Sequence, residues 1–242
     1  MKTKKMFLKR VIVSMLFTYP LVFNVMAQEL EKSHFSVGAD VVSSYVWRGI
    51  PQEGSKGGTP NIQPAVTYAN GVFSLGAWGS TAFSGEVKEI DFSATLSMSN
   101  TLSFTLTDYN WNNHRNYFNY QAHGTDHILE ATFSYAGVQS FPLSLTANSM
   151  FFGDDKNENG KNAYSSYIEL NYPLTSMAKI FMGASLVNSP MVYSNLHFAV
   201  INLGMRVAKM FKISDTFSMP LYGVIGCNPQ MGKAFFVAGF TL

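Results

Sequence analysis

The chain has 242 residues, of which 14% are aromatic and only 13% are charged, and its formal net charge is +2. An average soluble domain has about 25% charged residues, so this composition is unusual for one. A single cysteine, Cys227, excludes an internal disulfide scaffold and a zinc site built from several cysteines. No run of about eighteen apolar residues follows the N-terminal segment, so membrane helices are not predicted. Few charges and many aromatic residues favour strands that have one face in lipid.

The N-terminal segment has the pattern of a secretory signal peptide. Five basic residues precede the apolar segment 11–23 and the small residues of Val25-Met26-Ala27. An uncleaved anchor is the alternative, but the apolar segment is short and contains Pro20. Residues 1–27 are therefore predicted to be a cleaved signal, and residues 28–242 to form the mature domain. Because the signal holds five of the 17 basic residues and none of the 15 acidic ones, the mature net charge is −3. The charge thus gives no support for nucleic-acid binding.

Strict alternation of apolar and polar residues is the main pattern of the mature chain. In residues 90–98, Ile90, Phe92, Ala94, Leu96 and Met98 alternate with Asp91, Ser93, Thr95 and Ser97. The same alternation recurs at 35–41, 102–107, 129–135, 143–148 and 167–172. Successive side chains of a strand lie on opposite faces, so these segments are predicted to be strands with one apolar and one polar face.

Turn-forming residues divide the chain into about twelve predicted strands, with ten as the lower bound. Short breaks lie at 70–71, 99–100, 137–142, 173–176 and 209–215. They alternate with longer polar breaks at 51–59, 84–88, 112–125, 153–162, 188–195 and 227–232. An even number of strands with this alternation predicts an all-β fold, a single antiparallel transmembrane β-barrel with short periplasmic turns and longer extracellular loops. A soluble sandwich or lipocalin-like barrel is the alternative.

Aromatic residues and the last strand fit a barrel in the outer membrane. Two interface bands are predicted. One comprises Tyr68, Phe73, Tyr135 and Tyr172 beside short turns, and the other Tyr45, Trp47, Tyr109, Trp111, Phe151 and Tyr164 beside long loops. The C-terminal segment alternates apolar residues up to Leu242. It resembles the signal by which the barrel-assembly machinery recognises its clients, although that signal usually ends in Phe.

Residues 43–52 read Ser-Ser-Tyr-Val-Trp-Arg-Gly-Ile-Pro-Gln and are predicted to belong to the first strand. This segment resembles the Gcw-chp family of bacterial barrels, which carries a Tyr-x-x-Arg-Gly element that Tyr45, Arg48 and Gly49 match. The resemblance implies an outer-membrane barrel and brings no established substrate.

Charged residues on the polar faces are predicted to line the barrel interior, because a basic residue that faces lipid at mid-membrane costs about 2–4 kcal/mol. These residues are Asp40, Arg48, Asp91, Glu130, Glu169, Lys179 and Arg206. Two interpretations of this lining stay open. It either surrounds a water-filled pore or forms a salt-bridged plug that fills the interior.

Candidate metal and catalytic groups are sparse, and no cofactor is predicted. Asp155, Asn157 and Asn159 before Gly160 match the first half of a calcium loop, but Ser166 stands where the bidentate Glu is expected. His114, His123, Asp126 and His127 cluster in one loop without the spacing of a tight zinc motif. No Gly-x-Ser-x-Gly nucleophile element occurs.

The sequence therefore predicts an outer-membrane pore for small polar solutes with weak charge selectivity, because the lining has both signs. An outer-membrane lipid-modifying enzyme and a closed structural or binding barrel are the alternatives. The expected partners are outer-membrane lipid, lipopolysaccharide, the barrel-assembly machinery through the C-terminal strand, and small solutes.

Overall fold

A computed structural model of the chain describes residues 33–52, 58–85, 88–111 and 115–242. The predicted signal, residues 1–27, and the predicted mature start at Gln28 lie outside the described residues. Across the described ranges the structure is all-β. None of the described segments forms a helix of the length and hydropathy needed to cross a membrane.

Fourteen strands are described in chain order. They are β1 (His34–Val42), β2 (Val46–Trp47), β3 (Ile50–Pro51), β4 (Asn61–Asn70), β5 (Phe73–Ala82), β6 (Lys88–Ser97), β7 (Leu102–Asn110), β8 (His127–Tyr135), β9 (Ser144–Gly153), β10 (Ser166–Pro173), β11 (Ala178–Ser185), β12 (Ala199–Lys212), β13 (Ser218–Asn228) and β14 (Lys233–Thr241). Strands β2 and β3 pair only with each other, and the other twelve form one closed antiparallel barrel. The predicted closed β-barrel is thus confirmed, and its twelve strands lie at the upper end of the predicted range.

The barrel has two distinct ends. At the turn end, the described strands are joined by residues 71–72, 98–101, 136–143, 174–177 and 213–217. At the loop end, they are joined by residues 43–60, 83–87, 111–126, 154–165, 186–198 and 229–232. The predicted break at 209–215 begins too early, because Lys209 to Lys212 still pair with β13. Apolar Met210 and Phe211 within that stretch extend the strand.

Outward and inward faces of the wall differ in chemistry. On β1, outward Phe35 and Val37 are 73% and 78% exposed, whereas inward Asp40 is 0% exposed. Outward Leu96, Phe104 and Phe133 are direct cross-strand partners, so the apolar outer surface is continuous across β6, β7 and β8. Inward positions carry buried polar side chains, including Asn61, Gln63, Thr105, Thr107, Thr132 and Asn148.

Inside the barrel, two tyrosine rings lie against glycines of neighbouring strands. The Tyr222 ring covers Gly239, and an added Cβ there would lie 2.5 Å from the ring Cζ atom. The Tyr167 ring covers Gly183 in the same way, so a side chain at that glycine would overlap the ring. These glycines allow large interior rings to pack without widening the barrel.

Gly239→Ala is expected to destabilise the barrel by about 1–3 kcal/mol, because the new methyl group displaces the Tyr222 ring. The measurement is the urea midpoint of the refolded protein. Gly223→Ala, next to Tyr222 on β13, is the matched control, because its nearest atom would be 3.9 Å away. Equal midpoints for the two variants would contradict the tight ring packing.

Candidate functional site

Residues 43–52 leave the wall after β1 and fold into the interior at the loop end. Strands β2 and β3 form a small hairpin, and Arg48 and Gly49 are its two turn residues, with φ of 49° and 78°. Two positive φ values are typical of a type I′ turn, which matches the twist of a tight hairpin. Residues from Ser44 to Gly49 are all buried. The name interior hairpin is used below for residues 43–52.

The prediction that this segment belongs to the first wall strand is wrong, as is the prediction that Tyr45, Trp47 and Tyr109 join an interface band. Strand β1 ends at Val42, and these three aromatic residues are 2–4% exposed inside the barrel. The alternation of residues along a strand distinguishes an apolar face from a polar face. It does not distinguish an aromatic ring in lipid from one in the interior of a wide barrel.

The tip of the interior hairpin packs closely against the barrel wall. A Cβ on Gly49 would overlap the carbonyl oxygen of Ile201 on β12, so this position accepts only glycine. The side-chain amide of Asn228 on β13 donates to the Gly49 carbonyl oxygen at 3.3 Å. Arg48 occupies a left-handed conformation, which costs a non-glycine residue on the order of 1 kcal/mol. The surrounding contacts must offset that cost.

The strongest of these contacts is a buried ion pair. The Arg48 guanidinium donates to both carboxylate oxygens of Glu130 on β8, at 2.7 and 2.8 Å. The two side chains are 1% and 0% exposed. Glu130 also accepts hydrogen bonds from the Tyr109 hydroxyl at 3.0 Å and the Thr132 hydroxyl at 3.3 Å. Bidentate geometry and additional donors are what a buried ion pair needs to offset its desolvation.

An aromatic cage surrounds the same guanidinium. Its carbon atom lies 4.5 Å from the ring centroid of Trp47, 4.8 Å from Tyr167 and 5.9 Å from Tyr193. Trp47 stacks on Tyr193 at 5.7 Å and meets Trp111 edge-on at 5.6 Å. Arg48 also donates to the Tyr193 hydroxyl oxygen, which ties the connection 186–198 to the hairpin. The interior hairpin and this cage fill the loop end of the barrel.

Two further acidic residues lie inward near the hairpin. Asp91 is 8% exposed and accepts from the backbone N–H of Asn110 at 3.3 Å. Glu89, two residues earlier on β6, is 2% exposed. Glu89 was not predicted to be inward, because the recognised alternation began at Ile90. Its odd position nevertheless matches the inward parity of Asp91.

The remaining predicted lining residues lie towards the turn end. Asp40 accepts hydrogen bonds from the Tyr222 and Thr241 hydroxyls, and Arg206 stacks over the Tyr222 ring at 3.8 Å. Glu169 and Lys179 are inward on β10 and β11 and are partly exposed.

Other inward residues near the turn end are also partly exposed, including Thr95, Thr146 and Asn171. Water therefore reaches the interior from this end. The region that these partly exposed inward residues line is called the vestibule below.

The calcium candidates are engaged within their own loop. Asp155 accepts from the hydroxyl and the backbone N–H of Ser165, at 2.5 and 2.8 Å. Burial raises the pKa of the Asp155 carboxyl. Asn157 accepts from the backbone N–H groups of Asn159 and Lys161. Among the described residues no group of three or more His, Cys, Asp or Glu side chains could hold a metal ion. The geometry therefore does not favour calcium at this loop.

In the described part of the histidine loop, His127 does not form a nucleophile–base pair either. His114 lies outside the described residues. His127 Nδ1 lies 2.8 Å from a carboxylate oxygen of Asp108, and its Nε2 lies 2.5 Å from the carbonyl oxygen of Tyr117. A general base needs a ring nitrogen that faces the nucleophile, and both nitrogens of His127 face acceptors instead.

A double-mutant cycle tests the Arg48–Glu130 pair. Arg48→Met or Glu130→Gln alone is expected to lower the free energy of unfolding by about 3–5 kcal/mol, because each leaves the charge of its buried partner without a counter-charge. The double variant is expected to lose clearly less than the sum of the two. Urea unfolding of the refolded barrel measures all four proteins. Additive losses would show that the two side chains do not depend on each other.

No protein-family model matches the chain, and no curated protein matches it in sequence. The Gcw-chp resemblance carried by Tyr45, Arg48 and Gly49 therefore stays a prediction.

Proposed function

We propose that this chain is an outer-membrane β-barrel that passes small polar solutes, and that the interior hairpin holds it closed in the observed state. The observation that carries the proposal is the division of the wall into an exposed apolar outer face and a polar inner face. Only a lipid surrounding makes such an outer face favourable, because soluble proteins rarely expose apolar patches above a few hundred Å².

The ends of the chain support the same location. The N-terminal signal pattern directs export, and the C-terminal strand carries outward apolar residues such as Phe236, which is 65% exposed. The barrel-assembly machinery would take up the protein through that strand. In this orientation the turn end faces the periplasm, and the loop end faces lipopolysaccharide and the outside.

The polar interior favours a role in the passage of solutes over a catalytic role. Its charges have both signs, with Asp40 and Glu169 near Arg206 and Lys179, so weak charge selectivity is expected. A closed binding barrel is the second candidate, because the interior hairpin fills the loop end. No arrangement of the described side chains favours the lipid-modifying enzyme.

The lipid surrounding predicts opposite responses to a charge on the two faces of β6. Phe92, which is outward and 48% exposed, should tolerate arginine poorly, because Phe92→Arg costs about 2–4 kcal/mol in hydrocarbon. Thr95→Arg, on the inward and partly exposed face of the same strand, is the matched control. Heat-modifiable mobility of the membrane fraction measures assembly. Equal assembly of the two variants would argue against a lipid-facing outer wall.

Closure by the hairpin is tested in planar bilayers. Wild-type protein should conduct rarely, whereas Arg48→Ala should raise the open probability at least about tenfold, because 1.4 kcal/mol already shifts an equilibrium tenfold. Lys209→Ala, which removes an exposed outward cation of β12, is the control and should leave conductance unchanged. Folded Arg48→Ala protein that stays silent would favour the closed binding barrel. If the wild-type protein conducts as freely as Arg48→Ala, the hairpin does not hold the barrel closed.

A further inference from the structure

We propose that the connection 186–198 is a latch that holds the tip of the interior hairpin in place, and that a buried hydrogen-bond chain from the neighbouring loop positions this latch. The connection joins β11 to β12 at the loop end. It contacts the tip through Tyr193, which is 0% exposed. The Tyr193 hydroxyl accepts from Arg48, and the Tyr193 ring stacks on Trp47 at 5.7 Å. The tip can therefore move away only if Tyr193 gives up both contacts.

Tyr193 is held in position by the fold of its own connection. The Ser189 N–H donates to the carbonyl oxygen of Asn195 at 2.9 Å, which closes a turn around residues 190–194. The Tyr193 N–H donates to the carbonyl oxygen of Ser189 at 3.1 Å and to its hydroxyl oxygen at 3.2 Å. Ser189 is thus the residue around which the latch folds.

The Ser189 hydroxyl also joins the latch to the connection 154–165. In that connection the Ser165 hydroxyl donates to the Asp155 carboxylate at 2.5 Å, and the Ser165 N–H donates to the other carboxylate oxygen at 2.8 Å. The Ser165 and Ser189 hydroxyl oxygens lie 2.6 Å apart. Because the Ser165 hydrogen is directed to Asp155, the Ser189 hydroxyl is the donor between the two serines.

An ordered chain of hydrogen bonds therefore runs from Tyr193 through Ser189 and Ser165 to Asp155. The last three side chains are at most 2% exposed, so water does not compete for these bonds. A buried network with every member paired is rigid, and a carboxylate at its end is a stronger acceptor than a neutral oxygen. Asp155 matched a calcium loop in the sequence, and its contacts give it the role of a positioning residue instead.

The latch deepens the proposed function, because it names what holds the hairpin at the loop end. It rests on that function only for the effect of hairpin release on conduction. The vestibule has no part in the latch, since the vestibule lies at the turn end. Release of the hairpin can be measured whether or not the barrel conducts.

Hydrogen–deuterium exchange of the refolded full-length protein in a maltoside detergent measures this release in peptides that cover the interior hairpin. Ser189→Ala should speed exchange there at least about tenfold, since two buried hydrogen bonds of its hydroxyl are lost. Exchange in β7 should stay as in the wild type, because the wall does not open with the tip. Ser166→Ala is the matched control and should exchange as the wild type does, since its hydroxyl bonds to Ser149 and Tyr164.

A cycle with Arg48→Ala separates a latch from a contact that merely stabilises the loops. Arg48→Ala already releases the tip, so adding Ser189→Ala should cause no further increase in exchange of the hairpin. Additive increases, or Ser189→Ala that exchanges as slowly as Ser166→Ala, would overturn the latch. Asp155→Asn should act in the same direction as Ser189→Ala, because an amide oxygen is a weaker acceptor than a carboxylate. Because exchange needs no conduction, a silent bilayer would count against the pore and leave this result standing.

Discussion

A charge can stay inside a closed barrel only when water or an opposite charge compensates it, because desolvation of a lone ion costs several kcal/mol. The Arg48–Glu130 pair meets this requirement at the loop end, and the shape of the interior follows from it. Glu130 is fixed by the β8 register, so Arg48 must reach it from the opposite side of the lumen. The hairpin that carries Arg48 therefore has to cross the interior, and Gly49 is required where its turn meets β12.

Contacts around the hairpin are tight at the tip and less complete behind it. The indole N–H groups of Trp47 and Trp111 are buried and have no hydrogen-bond partner among the described residues. Each buried donor without a hydrogen-bond partner costs about 1–3 kcal/mol. The aromatic packing that holds the hairpin must offset this cost. Displacement of the hairpin would return these donors to water and recover part of that cost. The opening that we propose would therefore have to overcome mainly the buried ion pair.

Much of the wall could be predicted from sequence, because period-two alternation has one physical cause, the opposite faces of a strand. Asp91 and Glu130 were predicted to be inward from that alternation, together with the cost of a charge that faces lipid. The interior hairpin could not be predicted in this way. Alternation does not distinguish whether Tyr45 and Trp47 face lipid or the lumen. The partners of Arg48 could not be predicted either. Glu130 is 82 positions away, and only barrel closure brings the two together.

The seam of the barrel limits how the hairpin can move. Strand β1 pairs with β4 over nine residues but with β14 over only three, from Asp40 to Val42. Ser43 extends this short seam, because its backbone N–H donates to Ala238 at 2.8 Å and its hydroxyl accepts from the Ala238 N–H at 2.9 Å. The hairpin begins directly after this anchor. Displacement that started at Ser43 would break the seam and open the barrel wall, whereas displacement that starts at Arg48 leaves closure intact. In the opening that we propose, the tip is therefore the part expected to move, and the Asp40 network fixes the base.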